Sequence, residues 1–170
     1  GSADAVESMI AVMEHRGPDA SAAFTQGRYS LGMTRLSIQD LSAAGDQPMA
    51  TPDRKIWMVY NGEMYNADEQ REILENRGYR FRSHSDTEVV LNLYAEFGTD
   101  CFARIRGIFA IAIFDFRASS ETPKVVLARD PLGVKPLLLA STGSGAFVFG
   151  SEMKTVLASG LVERTVDSGA

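Results

Sequence analysis

Three short stretches carry residue types that could handle a small polar substrate. Asn61-Gly62-Glu63 follows the apolar run 56–60. An amide side chain beside a glycine N–H at a strand end supplies two donors to one oxygen, the arrangement that stabilises a tetrahedral oxyanion. Asn-Gly is equally a common turn pair, and the dipeptide alone leaves both readings open. Asp86 stands in Ser85-Asp86-Thr87-Glu88 ahead of a helical pattern. It reads as a helix cap with Glu88 favouring the dipole, or as a ligand group if one carboxylate oxygen stays free. Arg35 closes a strand pattern and is followed by Leu36 and Ile38. It is a surface charge or a clamp for a carboxylate, which a guanidinium grips as a two-pronged fork.

Other chemistries find little support. His15 and His84 are the only histidines, and neither has a second histidine or a cysteine at metal-ligand spacing. A Gly-x-Ser-x-Gly elbow is missing, and Gly143-Ser144-Gly145 lacks the glycine spacing and the Lys-Ser/Thr of a phosphate loop. The net charge is -5, from 17 basic and 22 acidic residues mixed along the chain, which argues against nucleic acid as a partner. The longest strongly apolar run, residues 108–114, is far short of the ~18 residues of a membrane span and reads as a buried strand. The single cysteine, Cys101, cannot form an internal disulfide, which fits a reducing cytoplasm.

The elements that must hold these residues follow from periodicity. Val6, Met9, Ile10 and Met13 recur at helical spacing, predicting a helix over 3–14 that Gly17-Pro18 stops. Strands are expected at 21–24, 29–35, 56–60, 108–116, 124–129, 137–140 and 146–150, with loop over most of 39–54. Helices are expected at 67–77 with Gly78 as C-cap, 87–97 ended by Gly98, 100–105 and 151–159. Hairpin-like strand groups around two consecutive helices argue for antiparallel sheet with helices outside, an α+β domain and not an alternating parallel one. At 170 residues and 45% hydrophobic, the chain suits one globular domain that buries roughly 70% of its unfolded surface. Gly1-Ser2 reads as a cloning scar, and both ends read as cuts in a longer protein.

Taken in order, eight motifs resemble one family. They are His15-Arg16-Gly17-Pro18-Asp19, Arg35-Leu36-Ser37-Ile38, Gln47-Pro48-Met49, Asn61-Gly62-Glu63-Met64-Tyr65-Asn66, Ser85-Asp86-Thr87-Glu88, Arg106-Gly107-Ile108-Phe109-Ala110, Arg129-Asp130-Pro131-Leu132-Gly133-Val134-Lys135-Pro136-Leu137 and Ser151-Glu152-Met153-Lys154. Their order and approximate spacing are similar to those of the class II, N-terminal nucleophile glutamine amidotransferase domain of the asparagine synthetase family, over about residues 9–161. The resemblance implies a four-layer α/β/β/α sandwich of mostly antiparallel sheets. It implies hydrolysis of L-glutamine to glutamate and ammonia, with ammonia passed to a C-terminal synthetase domain that activates aspartate. It implies no cofactor in this domain, with ATP and Mg in the synthetase domain. Carried over by motif, Arg35 holds the glutamine α-carboxylate, Asp86 and Glu63 hold the α-ammonium group, and Leu36 and Ile38 line the pocket. Asn61, through its amide, and Gly62, through its N–H, take the oxyanion. His15 and Arg16 are expected near the start of the ammonia route.

The family's nucleophile is an N-terminal cysteine, with its own α-amine, of ordinary pKa about 7.7–8.0, as general base. The sequence in hand opens in the helix expected to follow that strand. The expectation is therefore a domain over 3–161 lacking its first strand, with 162–170 beginning a linker, and a polypeptide that does not turn over glutamine as it stands. Cys101 is expected to be a buried side chain. A sheet edge left open is expected to favour self-association, for instance as a homodimer. The competing readings are a non-catalytic glutamine-binding or scaffold domain of an amidotransferase homologue with another acceptor, and a hydrolase of another substrate on the same fold.

Overall fold

A computed structural model describes residues 2–35, 46–143 and 145–165. Leu36 and Ile38, with residues 39–45 of the expected 39–54 loop, lie outside the described residues, as does the end of the expected linker. Helix α1 is Ser2–Ala11, and a 3-10 turn, Glu14–Arg16, follows it. Strands β1, Ala20–Gln26, and β2, Tyr29–Arg35, form a hairpin. Next come β3, Met49–Ala50, and β4, Ile56–Met64. Helices α2, Ala67–Glu75, and α3, Asp86–Phe97, run on into a 3-10 helix at Gly98–Arg104, where an α-helix over 100–105 was expected. Strands β5, Gly107–Asp115, β6, Lys124–Arg129, β7, Leu138–Ser141, and β8, Phe147–Gly150, precede helix α4, Met153–Ala158.

Four layers result. The central antiparallel sheet has the order β3-β4-β5-β6. One face packs on α2, α3 and the 3-10 helix around Met58, Leu74, Leu93, Tyr94, Ile111 and Ile113. The other face packs on the two hairpins, β1-β2 and β7-β8. There the ring of Trp57 stacks on Phe24 at 3.7 Å between centroids, joining the two sheet layers. Helices α1 and α4 lie together against the far side of the hairpins: a Cβ on Gly32 of β2 would stand 2.6 Å from the Val6 side chain. The α/β/β/α order matches the expectation.

Strand β4 departs from it. The apolar run ends at Tyr60, but the strand does not. Asn61, Gly62 and Glu63 continue in register, paired with Ala110, Phe109 and Ile108 of β5. The Asn-Gly pair is therefore neither a turn nor a strand end. A composition signal fails here because the ladder with β5, a tertiary pairing, outweighs the low strand propensity of Asn and Gly. Gly62 is required by that pairing: an added Cβ would stand 2.4 Å from the Ile108 carbonyl oxygen and 2.9 Å from Phe109 Cα. Helix α2 also stops earlier than expected. Asn76 takes the C-cap position, and Gly78 follows with the left-handed φ of +93°.

Because the atoms crowding Gly62 are backbone, they have no rotamer to yield. Gly62→Ala is expected to lower stability by about 1–3 kcal/mol, the cost of overpacking, read as a fall in the urea midpoint with an unchanged m-value.

Candidate functional site

The chain alternation along β4 sorts its side chains. Ile56, Met58, Tyr60 and Met64 point to the helix-side core. Trp57 and Val59 point to the hairpin side, and period-2 geometry sends Asn61 and Glu63 the same way. The backbone alternates as well. The N–H and C=O of Phe109 are engaged by Asp130, at 3.2 and 2.8 Å, so they face away from Gly62. The N–H of Tyr60 and that of Met64 both point to the opposite edge of β4, where they meet Gln47 and Asp86. The Gly62 N–H, between them in the same alternation, is directed to that edge too.

A cleft of about 1350 Å³ opens between the central sheet, the hairpins and α1. Arg35, Asn61, Gly62, Glu63 and Asp86 all line it. The structure thus gathers every described residue proposed from sequence for the site. Gln47, Tyr60 and Arg16 line it as well. Opposite Asn61 the sheet carries only Ala110, and Ala112 follows on the same face, so the floor of the cleft is low.

Arg35 ends β2, and its backbone is pinned. The Asp19 N–H donates to its carbonyl at 3.1 Å, and Pro18 bridges to it. Gly17 lies so close that a Cβ would stand 2.4 Å from the Arg35 nitrogen. The guanidinium, only 14% exposed, is ion-paired with the carboxylate of Asp46. It already presents a carboxylate-binding geometry.

Asp86 is the first residue of α3, and the cap is Ser85, whose Oγ accepts the Thr87 N–H at 3.1 Å. The capping reading therefore belongs to Ser85, and the Asp86 carboxylate is released for other contacts. Its Oδ2 accepts from Tyr60 Oη at 3.1 Å and from the Met64 N–H at 2.9 Å. Glu88 has a different task from the dipole role expected. It is buried, and its carboxylate accepts from the backbone N–H groups of Arg82 and Ser83 and from Ser83 Oγ, shaping the loop that delivers Ser85 and Asp86.

His15 and Arg16 converge on a residue far along the chain. Glu152 Oε1 lies 3.2 Å from His15 Nε2 and accepts from Arg16 Nη1 at 3.0 Å, and Oε2 lies 3.2 Å from Lys154 Nζ. This cluster ties the turn that pins Arg35 to the start of α4. The Arg16 hydrogen bond is the main reason the Glu152 carboxyl sits low, at about 2. Sequence reasoning quoted the motifs containing Gln47 and Glu152 but gave those residues no task. Their partners are 13 to 137 positions away, and local spacing carries no signal of them.

Cys101 is fully buried beneath α3, outside the cleft, and burial pushes its thiol up to about 12. Among the described residues no group of three His, Cys, Asp or Glu side chains could hold a metal ion. No helix among them is long and apolar enough to cross a membrane.

Comparison with known proteins decides the family. The sequence model of the glutamine amidotransferase domain matches residues 1–170. The chain belongs to this family. As an amidotransferase domain it is 38% identical over 164 residues to asparagine synthetase [glutamine-hydrolyzing] 3 of Bacillus subtilis, covering 95% of this chain and 26% of that protein. It is 39% identical over 142 residues to asparagine synthetase [glutamine-hydrolyzing] 1 of Arabidopsis thaliana, covering 84% and 23%. The domain therefore spans about a quarter of the length of these relatives. Among solved structures, the glutamine phosphoribosylpyrophosphate amidotransferase of Bacillus subtilis superposes with a TM-score of 0.76 at 22% identity, over 92% of this chain and 41% of that one. At that identity the likeness shows the fold, and it agrees with the four-layer arrangement.

Two outcomes follow from the electrostatics. Glu152 has a carboxyl held below its ordinary value of 4.5, so its contribution to stability is present above about pH 4.5 and is lost as pH falls toward about 2. The melting temperature of Glu152→Gln is expected to lie below that of the parent at pH 6–7, with the gap closing as the pH is lowered through this window. Cys101 is expected to resist iodoacetamide at pH 8 in the folded protein and to react on unfolding in guanidinium, as counted by mass spectrometry.

Proposed function

We propose that this domain hydrolyses L-glutamine to L-glutamate and ammonia and serves as the glutaminase part of a glutamine-dependent, ATP-dependent amidotransferase of the asparagine synthetase type. The observation that carries the reading is the charge pattern of one cleft. Arg35 on β2, Asn61, Gly62 and the Glu63 carboxylate on β4, and the Asp86 carboxylate at the start of α3 all line it. That pattern complements an α-amino acid zwitterion: one fixed cation for the carboxylate and two anions for the ammonium group. The relatives, glutamine-hydrolysing asparagine synthetases, supply the substrate of this reading.

In this reading the Arg35 fork takes the α-carboxylate in place of Asp46. Asp86 and Glu63 take the α-ammonium group, and the side-chain amide is thereby directed along β4 toward Asn61 and Gly62. A thiolate adds to the amide carbon, and the carbonyl oxygen becomes an oxyanion held by the Asn61 amide and the Gly62 N–H. The cysteine's α-amine, having taken the thiol proton, returns it to the amide nitrogen, so that collapse expels ammonia and leaves a thioester, which water converts to glutamate and the free thiol. The thiol is that of an N-terminal cysteine ahead of α1, as the resemblance implies, because Cys101 is buried, outside the cleft and protonated. Ammonia then passes to a synthetase domain, where ATP and Mg activate aspartate. The whole enzyme acts in the cytoplasm.

The test uses the full-length protein purified from its source. Arg35→Ala is expected to raise KM for glutamine about 10–100-fold, the worth of a charge-assisted pair. Asn61→Ala is expected to lower kcat roughly 10²–10³-fold with a smaller change in KM. A full-length protein that binds glutamine without releasing ammonia would replace this reading with that of a glutamine sensor.

A further inference from the structure

We propose that Tyr60 is a positioning residue for substrate recognition: its hydroxyl, with the Met64 N–H, fixes the Asp86 carboxylate so that one oxygen stays turned to the substrate's α-ammonium group. The inference rests on the reading of Asp86 given above and adds a residue that the zwitterion pattern does not contain.

The geometry is specific. Tyr60 Oη and the Met64 N–H both donate to the same oxygen, Oδ2, at 3.1 and 2.9 Å. Neither donor uses Oδ1. Two donors on one oxygen set the plane of the carboxylate as well as its position, which a single donor leaves free to rotate. Tyr60 is only 4% exposed, and burial together with the Asp86 charge holds its phenol far above the usual range, so it remains an O–H donor at any working pH.

Tyr60 is itself held from behind. Its N–H donates to Gln47 Oε1 at 2.6 Å, and its carbonyl accepts from Gln47 Nε2 at 3.0 Å. The Gln47 amide thus acts as one more rung of the ladder that Met49 and Met58 begin. The same Nε2 lies 3.4 Å from Thr87 Oγ1, on the second residue of α3. Gln47 therefore ties the strand bearing Tyr60 to the helix bearing Asp86, and the hydroxyl-to-carboxylate distance is set from both sides. A phenylalanine fills the same core volume but leaves Oδ2 with one donor. The carboxylate is then freer to turn from the cleft, and its charge is less well supported.

The experiment is calorimetric titration, in the full-length protein with its N-terminal cysteine replaced by alanine so that L-glutamine binds without turnover, of Tyr60→Phe and the parent with two ligands, L-glutamine and 4-carbamoylbutanoate, which is glutamine without its α-amino group. The parent is expected to prefer L-glutamine. In Tyr60→Phe the Kd for L-glutamine is expected to rise about tenfold, the order of a hydrogen bond to a charged group, while that for 4-carbamoylbutanoate stays unchanged. In an Asp86→Asn background, Tyr60→Phe is expected to add little. Equal weakening of both ligands, or a full loss that persists beside Asp86→Asn, would mean that Tyr60 acts through packing and would overturn the proposal. A parent that does not distinguish the two ligands would instead overturn the role of Asp86 on which the proposal stands. Thermal unfolding of each variant separates a folding defect from a binding one.

Discussion

Nine consecutive pairs join β4 to β5, from Ile56 with Asp115 to Met64 with Gly107, and the rest of the molecule is arranged around that ladder. A strand in such a ladder has three distinct surroundings. One face goes to the helix-side core, the other to the hairpins and the cleft, and alternate N–H groups go to the edge away from the partner strand. Met58 and Tyr60 settle the first face by burial, and Trp57, stacked on Phe24, settles the second. Once these are fixed, Asn61 and Glu63 have no choice of direction, and the Gly62 N–H is presented at an edge between two groups that are already paired.

The close approach that this register demands falls on glycine. At Gly62 any side chain would meet the backbone of β5, and at Gly17 any side chain would meet the backbone of Arg35. The two glycines act in the same way, letting one backbone lie against another. The other devices are carboxylates that collect backbone N–H groups. Glu88 shapes the approach to α3. Asp130 gathers the N–H groups of Phe109, Val134 and Lys135, and so holds the loop after β6 against β5. The motif around Asp130 is thus a structural knot beside the ladder, and it leaves Leu132 at the surface.

Several motif residues therefore act on the site at one remove. His15, Arg16, Glu152 and Lys154 form one ionic cluster holding the turn that pins Arg35. Gln47 stands in for a ladder rung, and Tyr60 reaches the carboxylate that faces the cleft. These contacts join β2, β4, α3 and α4, elements far apart in the chain. They tie the cleft's polar groups to the same layers that form the two cores.

Much of this was legible in the sequence. Apolar patterning placed α1, β2, β5 and β6 closely: helical spacing marked α1, and a continuous apolar run marked β5, which is buried on both faces. Ordered motifs named Arg35, Asn61, Gly62, Glu63 and Asp86, and all five line one cleft. Local reasoning failed where a partner from elsewhere decides the outcome. Asn61-Gly62 reads as a turn by propensity and is strand by pairing. Asp86 reads locally as a cap or a ligand group, and its carboxylate is taken up by Tyr60 and Met64 from β4. Gln47, Tyr60 and Glu152 have no visible task until their partners are brought beside them. Side-chain type and period, written along the chain, gave the antiparallel α+β character, while the four-layer order and the roles of the polar set came only through the resemblance that the ordered motifs carry. Which oxygen, N–H or guanidinium faces the cleft was decided only by the tertiary structure, because strand register and long-range hydrogen bonds set direction, and neither is a local property.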